Sequence, residues 1–100
     1  MLNCNKQVVN GEVIISLEGE LDTLSSRELD SKLDELLGDA TKVKVDLGKL
    51  EYITSAGLRL LLQMENTIED RNGSMKILHA SDEIKEIFAV TGFMEVLTVK

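Results

Sequence analysis

The sequence predicts an α/β fold: a mainly parallel sheet of four to five strands, opened by a hairpin. Three observations carry that reading. An Asn10-Gly11 dipeptide separates two β-rich runs near the start of the chain. Leucine-rich stretches at helical spacing follow it. Short β-branched runs alternate with those stretches, giving the order β-β-α-β-α-β-α-β. Strands joined through helices lie parallel and are linked by right-handed crossovers.

Each element has a local reason. In "NKQVVNGEVIISL" (residues 5–17) the Asn-Gly pair tolerates positive φ at both central positions of a type I′ turn, so a hairpin is expected. After "EGELD" the period changes. Leu29, Leu33, Leu36 and Leu37 recur three and four residues apart, which predicts one amphipathic helix from about Thr23 to Leu37. Ser25 with Glu28 forms a possible capping box, Asp22 is the alternative cap one turn earlier, and Gly38 is the stop. "KVKVDL" (Lys42 to Leu47) reads as a strand with Val43, Val45 and Leu47 on one face. A second helix runs from about Ser55 to Arg71, with Gly73 beyond it. "MKILHA" (Met75 to Ala80) is a further strand. Ser81 caps a short helix bearing Ile84, Ile87 and Phe88 and stopped by Gly92, and "EVLTVK" supplies a last strand.

Composition narrows the function. A chain of 100 residues with 43% hydrophobic content is expected to be one domain, residues 1–100. Roughly 60–65% of the unfolded chain's surface can be buried at this size, enough for one core. No apolar run reaches the ~20 residues needed to cross a bilayer, and "MLNCNKQ" lacks a signal-peptide core. Cys4 is the single cysteine, which excludes an internal disulfide and fits a cytoplasmic setting. The net charge of −7, with no basic run, argues against nucleic-acid and membrane partners. One histidine and no HxxxH or CxxC spacing argue against a metal site. No GxxxxGK[ST] loop is present to cradle a nucleotide, so no cofactor is expected.

The stretch "KLEYITSAGLRLLL" (Lys49 to Leu62) holds the candidate site. Loops that leave the carboxyl ends of parallel strands and enter helices gather along one sheet edge, where ligands and chemistry concentrate. "EGELDT" and "EYITSAG" are two such loops, and neighbouring strands would bring Asp22 towards Ser55. Gly57 allows a backbone or bulky group close to the helix start. Ser55 is open to two readings. As an N-cap it contributes about 1 kcal/mol, a role Thr54 fills equally well. As a phosphorylation site it offers a phosphate the unpaired N–H groups and positive end of a helix. A catalytic serine fails for want of partners: His79 lies at the far end of a later strand, and "TSAG" is not a GxSxG elbow. Beyond Ser55, the apolar residues Leu58, Leu60, Leu61, Leu62, Met64 and Ile68 span about 200° of the helix, wider than one buried face needs. Either the helix is packed on two sides, or Leu60 and Met64 border an exposed apolar strip beside Ser55.

These residues resemble a known family. "GELDTLSS", "VDLGKLEYITSAGLRLLL" and "IFAVTGFMEVLTV" are similar to bacterial anti-sigma factor antagonists with a STAS domain, and the resemblance covers nearly the whole chain. The family's Asp-Ser-(Ser/Thr/Ala)-Gly-Leu motif falls on Thr54-Ser55-Ala56-Gly57-Leu58, with Thr54 in place of the usual Asp. The resemblance implies a non-enzymatic partner switch. The unmodified protein binds an anti-sigma factor with a GHKL-type serine kinase fold and so frees a sigma factor. Phosphorylation at Ser55, with Thr54 the minor alternative acceptor, ends the binding, and a PP2C-type phosphatase restores it. ATP and Mg²⁺ then belong to the kinase. Asp22 matches the acidic residue beside the acceptor, for kinase contact or for orienting the serine hydroxyl. The implied contact surface comprises Asp22, Thr23, Thr54, Ser55, Ala56 and Gly57, joined by Leu60 and Met64. The chain is expected to be a monomer or weak homodimer. The alternative is a STAS accessory subunit of a lipid-transport or larger signalling complex that works without phosphorylation.

Overall fold

The computed structural model describes residues 2–99. Strands β1 (Leu2–Val9) and β2 (Glu12–Leu21) form an antiparallel hairpin, and Asn10 and Gly11 at its tip take φ of 52° and 80°, as expected for this turn. Strand β3 (Lys42–Ile53) pairs parallel to β2, and β4 (Ser74–Leu78) parallel to β3. The sheet order is β1-β2-β3-β4. Helices α1 (Thr23–Ser31), α2 (Leu33–Leu37), α3 (Ser55–Asp70) and α4 (Asp82–Thr91) complete the fold.

Alternation along the strands divides the sheet into two faces. Val13, Ile15, Leu17, Val43, Val45, Leu47, Met75 and Ile77 are buried together with the apolar sides of the helices in one core. At the intervening positions Ser16, Lys44 and Asp46 are half-buried and Lys76 is exposed. That second face carries a Lys44–Glu12 ion pair at 2.9 Å and a contact of 3.1 Å between His79 Nδ1 and Asp46 Oδ1.

Three expectations are corrected here. The single helix from Thr23 to Leu37 is two helices, broken at Lys32, whose φ and ψ are −106° and 2°. The Lys32 N–H turns back to the carbonyl of Leu29 at 3.0 Å, tightening the last turn of α1. The leucines still meet the core across the break, since Leu29, Leu33 and Leu37 are all buried. The third strand is longer than "KVKVDL" and runs on to Ile53, so Thr54 alone separates it from α3. The last strand is reduced to one parallel bridge, Val99 to Ile77, with Lys100 outside the described residues. Its donors are engaged elsewhere: Val96 and Leu97 both donate to the carbonyl of Phe93 in successive tight turns.

Packing of α3 settles what its broad apolar arc touches. Leu58, Leu61 and Ile68 are at most 1% exposed, each contributing about 1.5–3 kcal/mol by burial. Of the two alternatives for that arc, packing on two sides holds, and Leu60 and Met64 form no exposed strip beside Ser55. Leu60 is 4% exposed and Met64 0%, because α3 lies against β3 and β4 on one side and α1 on another. At the other end of the core, Ser81 Oγ accepts from the Ile84 N–H at 3.2 Å, and Gly92 at φ 82° ends α4, as the sequence predicts.

Candidate functional site

Parallel pairing of β2 with β3 ends with Leu21 opposite Ile53, which sets the two strand exits side by side. Each exit feeds a helix directly. The Thr54 N–H donates to the Leu21 carbonyl at 3.0 Å, tying the start of α3 to the end of β2. Gly57 sits over the same junction. A methyl group built there would come within 2.7 Å of the Leu21 carbonyl oxygen and 2.8 Å of Ile53 Cγ1. The close approach expected of Gly57 is therefore made by the protein's own second strand.

The two helix starts are finished differently. Asp22 is the N-cap of α1, with its Oδ1 accepting from the Ser25 N–H at 2.9 Å and the Ser25 hydroxyl at 3.0 Å. The Ser25 Oγ accepts in return from the Asp22 N–H at 2.9 Å, so Ser25, not Glu28, closes the capping box. The Ser25 N–H, foremost, holds the Asp22 carboxyl below its ordinary range. Thr54 is the N-cap of α3 by backbone geometry, yet its side chain makes no capping bond. Its half-buried hydroxyl instead lies 3.4 Å from the Leu21 carbonyl oxygen.

Ser55 thus occupies the first full position of α3 and is exposed. The N–H groups of this first turn have no acceptor within the helix and receive none from the Thr54 side chain. An uncapped start of this kind presents partial positive charge to an incoming anion. Thr23 is exposed and Ala56 half-buried beside it, while Gly57, Leu60 and Met64 lie beneath. Asp22, Thr54 and Ser55 therefore share one edge, but the Asp22 carboxylate is bonded to the Ser25 N–H rather than to Ser55, and the Ser25 hydroxyl has its shorter contact, 2.8 Å, with the Glu20 carbonyl.

Other features had weaker signals in the sequence. Glu65 is 2% exposed on the inner face of α3, and its Oε1 accepts from the Thr98 N–H at 3.2 Å and hydroxyl at 2.9 Å. Its signal was a charge set between Met64 and Ile68 on an apolar face. Ser26 is 6% exposed, and its hydroxyl has no partner among the described residues. Among the described residues no group of three or more His, Cys, Asp or Glu side chains is placed to hold a metal ion. No helix of the described residues is long and apolar enough to cross a membrane.

A hairpin-opened parallel sheet, with two helix starts packed at the carboxyl ends of its central strands, is the architecture of a STAS domain. The chain belongs to that family: the family model described as "Mlab, STAS domain" matches residues 4–98. Among its relatives, BtrV of Bordetella bronchiseptica is 27% identical over 92 residues, spanning 91% of this chain and 79% of that protein. The anti-sigma-B factor antagonist of Bacillus subtilis is 24% identical over 100 residues, spanning 98% of this chain and 92% of the relative. The fold matches the anti-sigma factor antagonist SpoIIAA in its unphosphorylated form with a TM-score of 0.81 and 21% identity, over 98% of this chain and 88% of that one. The phosphorylated form of Bacillus SpoIIAA matches at 0.73 with 22% identity, over 100% of this chain and 91% of the other.

Proposed function

We propose that this chain, working as one STAS domain over residues 1–100, is an anti-sigma factor antagonist of the cytoplasm that acts by binding rather than by turnover. Unmodified, it binds an anti-sigma factor that is itself a serine kinase with a GHKL-type ATP site, and a sigma factor is released. The kinase transfers the γ-phosphoryl group of ATP to Ser55 Oγ. The new O–P bond forms as the β–γ bridging bond breaks, ADP leaves, and the hydroxyl proton passes to a base on the kinase. A PP2C-type phosphatase hydrolyses the ester and resets the protein.

The observation that carries this reading is the exposed Ser55 at an uncapped helix start, beside the Asp22 cap on the neighbouring strand exit. The named relatives support the class of partner. Thr54 is the poorer acceptor because its hydroxyl is half-buried against the Leu21 carbonyl. With Leu60 and Met64 buried, contact falls to the polar edge of Asp22, Thr23, Thr54, Ser55 and Ala56. Nearly two added negative charges at that edge cost on the order of 3 kcal/mol, a hundredfold or more in affinity.

The test is phosphate mapping by mass spectrometry after incubation with the cognate kinase and ATP. Label on Ser55 is expected, and Ser55→Ala labelled at the full rate rejects the assignment. Ser55→Asp is expected to weaken the kinase complex. Thr54, where the resemblance places an Asp, favours one second reading: an accessory subunit of a lipid-transport or larger signalling complex with no phosphorylation cycle. Capture of transport subunits equally by wild type and Ser55→Asp from native cells would select it.

A further inference from the structure

Next to Ser55 in sequence, Ala56 lines an open cleft of 270 Å³ between α1 and α3, with Ser26, Arg27, Arg59 and Gln63 in its walls. Two arginines line one shallow cleft in a chain of net charge −7 with 11 basic residues. Neither has a hydrogen-bond or ion-pair partner among the described residues, and both side chains are exposed. The acid in the same wall, Asp30, is already engaged, accepting from Gln63 Nε2 at 3.1 Å. Behind them Ser26 lines the cleft, 6% exposed and with an unpartnered hydroxyl. A buried donor without an acceptor costs about 1–3 kcal/mol. The cleft therefore sets two arginines without partners and a hydroxyl donor against one carboxylate, Asp30, which is bonded to Gln63.

We propose that the phosphate of phosphorylated Ser55 pairs with these arginines in cis, held by Arg59 and by Arg27 from across the α1–α3 cleft. The inference rests on the reading of Ser55 as the phosphoacceptor. Arg59 lies four residues beyond Ser55 on α3, one turn away and on the neighbouring strip of the helix surface. By helix geometry Arg59 lies between Ser55 and the cleft-lining Ala56 and Leu60 on the surface of α3. An arginine fork binds two phosphate oxygens at once, and a phosphate at the first turn also meets the uncapped N–H groups. Phosphorylation then changes the surface twice. It adds a dianion at Ser55, and it withdraws two free arginines from any partner.

The test is the titration of the phosphate followed by ³¹P NMR, on protein carrying phosphoserine incorporated at position 55 during translation. Because no kinase is involved, the result is independent of whether Ser55 is the native acceptor. Cations favour the dianion, so the second ionisation is expected to move up by about half a pH unit in the Arg27→Gln/Arg59→Gln double variant. Arg59→Lys, which keeps the charge, is expected to fall between wild type and Arg59→Gln. Circular dichroism checks that the variants keep the fold. Superimposable titrations for wild type and the double variant overturn the proposal. So does a double variant that weakens the unmodified kinase complex and leaves the phosphate titration unmoved, since the arginines would then serve the partner.

Discussion

Gly57 rests against the Leu21 carbonyl so closely that a single methyl group on it would stand 2.7 Å from the oxygen. Alanine favours a helix interior over glycine by about 1 kcal/mol, which alone would make Gly57→Ala stabilising. Overpacking against a backbone oxygen and Ile53 Cγ1 costs about 1–3 kcal/mol and outweighs it. Gly57→Ala is therefore expected to lose stability in urea unfolding and to displace the start of α3. A gain in stability would refute the packing argument.

Thr54→Asp is expected to have the opposite effect. Position 54 already has N-cap geometry, with φ −100° and ψ 175°, but no side-chain bond to the helix. A carboxylate there gains a capping bond and the helix dipole, for about 0.5–1 kcal/mol. The loss of the Thr54 contact to Leu21, long at 3.4 Å, subtracts little. Thermal unfolding of the isolated protein measures the difference, and a lowered midpoint contradicts it.

The Asp22 cap makes stability depend on pH in a defined window. Its carboxyl is held below the ordinary value, chiefly by the Ser25 N–H. The folded state therefore binds a proton less readily than the unfolded chain. The contribution is complete above the unfolded pKa of about 3.9 and is lost as pH falls through the lower folded value. Asp22→Asn still caps but does not titrate there. The wild-type advantage over Asp22→Asn, read from urea unfolding across this range, is expected to shrink as the solution is acidified below about pH 4.

Removing the Glu65 side chain is expected to free the C-terminal segment. Glu65→Ala removes the acceptor of both the Thr98 N–H and the Thr98 hydroxyl, the side-chain tether from α3 to this segment. Amide exchange at Thr98 is expected to rise before exchange in β3 does. Equal protection of Thr98 in both proteins would show that Glu65 does not hold it.

Where the sequence spoke for the fold, it did so through local chemistry. Asn10-Gly11 dictates its own turn, Gly92 its own helix stop, and the strand–helix junctions of Leu21-Asp22 and Ile53-Thr54 locate the edge of interest. The break at Lys32 was illegible because Leu29, Leu33 and Leu37 keep their three- and four-residue spacing through it. "EVLTVK" has strand composition, but the turns after Phe93 and the Glu65 carboxylate take its donors. Those are tertiary facts. The width of an apolar arc likewise tells how much of α3 is covered, not by what, which is why the sequence left Leu60 and Met64 open between core and surface strip, and they are core. Asp22 and Ser55 could be brought to one edge by topology, while the pairing of Asp22 with Ser25 needed distances.

The sheet order has a consequence for engineering. Leu2 begins the strand at one border of the sheet, and Val99 is bridged to Ile77 at the opposite border. Leu2 and Val99 are therefore four strand spacings apart across the sheet, about 19 Å. A linker engineered between these two positions needs about six extended residues simply to cross that width. Direct fusion of residue 99 to residue 2 would instead tear Val99 from its bridge or Leu2 from the hairpin.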